Sequence, residues 1–151
     1  MVLNELTRAV RELCAEAVKN FRLPTEGGEY LSAPQIVNGF LPPKRSGKKD
    51  DFPFVLVRPT ECGMNRGNQE IKVSIVVGCY SEDFDGYEYC VNVAERIAEH
   101  IATLPAETLK RKYQMRFPLK WSVVEEQPYP QWQVDMETAW VYNSPMNTDD
   151  F

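Results

Sequence analysis

The chain predicts an α+β fold: a four-stranded, mainly antiparallel sheet with two helices packed on one face, in the order α-β-β-α-β-β. Three observations carry that prediction. Two segments repeat apolar residues at spacings of three and four, as amphipathic helices do. Four segments alternate apolar and polar residues, as half-buried strands do. Each helix has one apolar stripe, so a single apolar sheet face can bury both.

The first helix is expected over residues 3–21. Leu3, Leu6, Val10, Leu13 and Ala17 form its stripe, and Asn4, Glu5, Arg8, Arg11, Glu12, Glu16 and Lys19 fill much of the rest. Pro24, Gly27 and Gly28 stop it. Residues 22–50 hold Pro34, Pro42 and Pro43 and have little periodicity. They predict a long irregular insert with a short strand near 35–41, and loops of this length are usually functional or mobile.

Residues 52–58 predict a strand, with Phe52, Phe54, Leu56 and Arg58 on one face and Pro53, Val55 and Val57 on the other. Residues 71–80 predict the strongest strand, with Ile71, Val73, Ile75 and Val77 on one face. Between them, Gly63, Asn65, Gly67 and Asn68 predict a hairpin with a long polar tip over 60–70. Asp85 is suited to cap a second helix over 86–104, whose stripe is Tyr87, Cys90, Ala94, Ile97, Ile101 and Leu104. Pro105 closes it, and 106–112 form a charged connector.

Residues 113–126 and 132–142 predict two further strands. In the second, Trp132, Val134, Met136, Thr138, Trp140 and Tyr142 alternate with Gln133, Asp135 and Glu137. Pro128 and Pro130 require a loop or an edge between these strands. The expected organisation is one domain over 1–143, with 144–151 a flexible tail.

At 151 residues and 17.4 kDa the chain is the size of one domain. Its 22 acidic and 17 basic side chains give a formal net charge of -5, a poor match to a sequence-specific nucleic-acid binder. No apolar run approaches the roughly 18 residues of a membrane helix. The first 21 residues lack the apolar core of a signal peptide, so the expected location is the cytoplasm. The four cysteines form no CxxC pair, and there is one histidine. That composition predicts no metal site and no cofactor, with Cys14 and Cys90 as buried thiols.

Four constellations remain. Lys44, Arg45, Lys48 and Lys49 form a candidate charged contact loop, half cancelled by Asp50 and Asp51. Glu125, Glu126, Asp135 and Glu137 could bring carboxylates together, but strand alternation sends adjacent residues to opposite faces. Cys90 and His100 lie ten residues apart on one expected helix, about 15 Å of rise and out of hydrogen-bond reach. Cys79 has no oxyanion-hole signature beside it, and the chain carries no GxSxG, P-loop or HExxH motif. No catalytic residue is therefore assigned. Trp121, Trp132, Trp140 and Tyr142 gather near the end of the chain with Tyr129, and Trp132 and Trp140 lie on the apolar face, where core packing is expected. Tyr129 and its flanking Pro128 and Pro130 are candidate protein-interface residues, as are Met64 and Arg66 in the hairpin tip.

The segment from Val76 to Tyr87, VVGCYSEDFDGY, resembles a pattern in prophage-encoded proteins of tail modules. So do the later segments VAERI at 93–97, PLKW at 118–121 and EEQPYPQW at 125–132, and the similarity spans residues 52–142. The helix–strands–helix–strands order also resembles tail terminator and tail-completion proteins of long-tailed phages. The resemblance implies a non-enzymatic virion assembly protein that forms a ring, commonly a hexamer, at the head-tail junction. It implies partners that are copies of itself and other tail or neck proteins, with assembly in the bacterial host cytoplasm and residence in the virion tail. A small ligand-binding or regulatory module without catalysis is the alternative built on the same fold.

Overall fold

The stripe of Leu6, Val10, Leu13 and Ala17 forms one face of α1 (Val2–Val18) in the computed structural model, which describes residues 2–28, 30–41 and 51–143. Next come three short strands: β1 (Leu23–Pro24), β2 (Leu31–Ser32) and β3 (Gln35–Asn38). A long hairpin follows, β4 (Phe54–Asn65) and β5 (Asn68–Tyr80). After α2 (Tyr87–Ala102), a turn at Pro105–Glu107 leads to β6 (Thr108–Leu109), β7 (Tyr113–Val123) and β8 (Gln131–Asn143).

The α+β class and the two helices stand, but the expected four-stranded antiparallel sheet does not. The described residues form a six-stranded mixed sheet in the order β3-β4-β5-β8-β7-β6, with β1 and β2 as a separate pair. β3 runs parallel to β4, Gln35 opposite Phe54 and Asn38 opposite Val57. At the other edge, β6 pairs with Tyr113 and Gln114 of β7. The strands do not follow one another across the sheet either, because β8 rather than β7 lies beside β5. Burial explains that order. β8 presents Trp132, Val134, Met136 and Trp140 to the core, all buried, and the central position covers both of its edges.

The expected polar tip is also revised. β4 and β5 stay paired to the end, where Asn65 faces Asn68 across Arg66 and Gly67. Gly67 has φ of 82°, which glycine accepts without steric cost. Asp85 does not cap α2 with its side chain; the N-cap is Gly86.

Both helices lie on one sheet face. Leu6 and Val10 of α1 and Cys90, Val93, Ile97 and Ile101 of α2 pack with Val55, Val57, Ile75, Val77, Val134 and Met136. Trp140 is fully buried in this layer. Its indole N–H donates to Thr138 Oγ1 at 2.8 Å, and that hydroxyl donates to the Val73 carbonyl at 2.8 Å. On the opposite face a smaller cluster of Phe54, Leu56 and Val76 packs with Val37 and Phe52. The close approach of Phe54 requires Gly78, where a Cβ would fall 2.2 Å from the Phe54 ring.

Candidate functional site

Three exposed regions stand out around this frame. The first is an aromatic corner where β8 begins. Gln127 ties down the loop that leads to it. Its amide nitrogen donates to the carbonyls of Val124 and Gln133, and its oxygen accepts the Gln133 N–H at 2.7 Å. Tyr129 then projects back over the 81–86 turn. Its hydroxyl donates to the Glu82 carbonyl, and its ring stacks on Phe84 with centroids 5.5 Å apart. Trp132 meets Tyr129 edge-on at 6.0 Å and donates its indole N–H to the Ser81 carbonyl at 2.9 Å. Gly86 admits this packing, since a Cβ there would lie 2.4 Å from Trp132 Nε1. Tyr129 is 49% exposed and Phe84 86% exposed, so the corner offers a pre-ordered aromatic platform.

The second region is the hairpin tip. The outer half of β4 is exposed, and Met64 is 76% exposed beside Arg66. Twelve residue steps of β5 separate Asn68 at this end from Tyr80 at the aromatic corner, up to about 40 Å. The candidate interface residues therefore divide into two sites: Tyr129, Pro128 and Pro130 at one end of the sheet, Met64 and Arg66 at the other.

The third region lies between α2 and β7. From Arg116 to Lys120, β7 uses four residue steps where β8 uses two, from Ala139 to Glu137. The bulge carries Phe117, Pro118 and Leu119 alongside α2. With Ala98, Ala102 and Trp121 they line a groove of about 640 Å³ rimmed by Glu95 and Glu99. Phe117 is 52% and Trp121 40% exposed.

The other sequence candidates do not converge. Lys44, Arg45, Lys48 and Lys49 lie outside the described residues. Glu125 and Glu126 are exposed in the bend after β7, while Asp135 and Glu137 lie on β8 opposite Ser122 and Lys120. Cys14, Cys79 and Cys90 are buried. Burial pushes the Cys14 thiol up to about 12. Hydrogen bonding with Cys90, together with burial, pushes the Cys79 thiol well above its ordinary value. Neither is a ready thiolate nucleophile at neutral pH. Among the described residues no helix is long and apolar enough to cross a membrane.

Sequence reasoning missed Phe84, Phe117 and the bracing role of Gln127. Phe84 had a signal, an aromatic residue alone in an acidic turn. The groove had none, because it depends on a bulge set by the pairing of β7 with β8.

The chain matches no protein-family model and no curated protein.

Proposed function

We propose that this protein is a non-enzymatic phage assembly subunit, a ring-forming tail terminator or tail-completion protein at the head-tail junction. The observation that carries the reading is the Glu125–Trp132 segment. It holds the most specific part of the resemblance to tail-module proteins, and it builds the exposed Tyr129–Phe84 platform. A ring subunit needs surfaces held in place before its neighbours arrive, because ordering them on contact weakens association. The Gln127 bracket and the continuous β4–β5 hairpin supply that order at opposite ends of the sheet. In this reading the platform meets an adjoining tail or neck protein, and the remaining exposed surfaces meet other copies of the chain.

The test is genetic. Inducing a prophage that lacks this chain should yield heads and tails that fail to join, and supplying the chain in trans should restore joined particles. Normal yields of infectious particles without the chain would overturn the reading.

A further inference from the structure

We infer that neighbouring copies join by inserting the β4–β5 hairpin tip of one into the α2–β7 groove of the next. This rests on the assembly reading above and names the contact it would use.

The two surfaces complement one another. The tip offers an exposed thioether, Met64, beside a cation, Arg66. The groove offers an apolar floor that includes Phe117, Leu119 and Trp121, with Glu95 on its rim beside Glu99, which is itself paired with Arg96 at 3.4 Å. Among the described residues neither Arg66 nor Glu95 has an ion-pair partner within its own chain. A flexible Met side chain adapts to an irregular apolar surface, and a cation beside it selects an acidic rim.

The tip cannot fill its own groove. Trp121 lies opposite Met136, which lies opposite Ile75, and Arg116 lies likewise opposite Ala139 and then Lys72. The groove thus sits level with residues 72–75 of β5, while the strand continues to Asn68. The tip therefore stands about 13–23 Å beyond the groove along the strands. A paired ribbon does not fold back over that distance, so a tip that enters the groove comes from another copy. Tip and groove are different patches of one chain, which makes the contact heterologous and able to close a ring.

The alternative is edge-to-edge strand pairing, since among the described residues the sheet has two partly unpaired edges. β3 covers β4 only from Phe54 to Val57, and β6 covers β7 only at Tyr113 and Gln114. Each open stretch is interrupted, by Pro59 and a register shift in β4 and by Pro118 and the bulge in β7. Prolines and bulges on edges hinder strand addition, which favours docking through side chains.

The test uses disulfide trapping. Cys62 is exposed and is first replaced, Cys62→Ser; the other three thiols are buried. Met64→Cys is made in one sample and Ala102→Cys in another. Under mild oxidation, where wild-type protein associates alone or on tail tubes, the mixture should give a linked dimer and neither sample alone should. Arg66→Glu or Glu95→Lys should each weaken association about tenfold or more with unchanged melting, and the double swap should recover most of the loss. If wild-type protein associates but the mixed link is absent, or Met64→Cys links to itself, docking is overturned and the assembly reading stands. If wild-type protein associates in neither setting, both fall.

Discussion

Gly78 and Gly86 are constrained by neighbours rather than by torsion. A Cβ at Gly78 would enter the Phe54 ring, and one at Gly86 would meet Trp132 Nε1 and Ser81 Cβ. Gly78→Ala should cost about 1–3 kcal/mol in chemical denaturation, the usual cost of overpacking, and Phe54→Leu in the same chain should recover part of it. Thr138 is a buried relay between an indole and a carbonyl. Thr138→Val keeps its shape but strands the Trp140 N–H, and should cost about 1–3 kcal/mol in the same assay. Titration gives a third expectation. Burial pushes the Cys14 thiol from 9.0 to about 12, and burial with Glu5 nearby pushes the Tyr113 hydroxyl from 10.0 to about 12. Both folded values lie above the unfolded ones. Their contribution is complete below about pH 9 and is lost as pH rises toward 12, at about 1.4 kcal/mol per pH unit for the buried Cys14 thiol within its window and by less for the Tyr113 hydroxyl, which solvent partly screens. The urea midpoint should therefore fall between about pH 8 and pH 11, and Cys14→Ala should flatten the fall. An unchanged midpoint would contradict the burial assigned to both groups.

At the scale of elements, α2 is the firmest prediction. Ile97 is fully buried between α2 and the sheet, so Ile97→Asp buries a charge without a partner. Its loss should exceed about 4 kcal/mol, read as a collapsed thermal transition in circular dichroism. Elements legible in the sequence share a physical property: burial on one side over many residues. α1, α2, β5 and β8 each repeat an apolar stripe along their length, and local order alone shows it. β3 falls within the short strand expected near 35–41, and what local order does not show is its parallel pairing with β4; β6 escaped inside the expected connector because it is two residues long and defined by what it pairs with. The turn from β6 to β7 sets Lys110 and Arg111 at φ of 55° and 58°, without the glycine or asparagine that normally marks such a turn. The hairpin tip misled for the converse reason. Its glycines and asparagines read as loop, yet pairing carries the strands through them. Tyr129 was legible because two prolines isolate it, whereas its partner Phe84 and the groove come from tertiary placement.

At the scale of the molecule, the sheet presents an aromatic platform at one end, a hairpin tip at the other and a groove along one helix. In the proposed reading, the tip and groove serve contacts between copies and the platform serves contact with a different protein. Replacing Tyr129 with Ala should remove the Phe84 stack and the bond to Glu82, lowering incorporation into particles more than it lowers melting temperature. The central claim, that this chain is a ring subunit of a phage tail, is tested most directly by mixing purified protein with tail tubes of its own phage made without it. Electron microscopy of the mixture should show one closed ring of this chain at a single end of each tube. Tubes left bare, with the chain still monomeric by light scattering, would contradict the account.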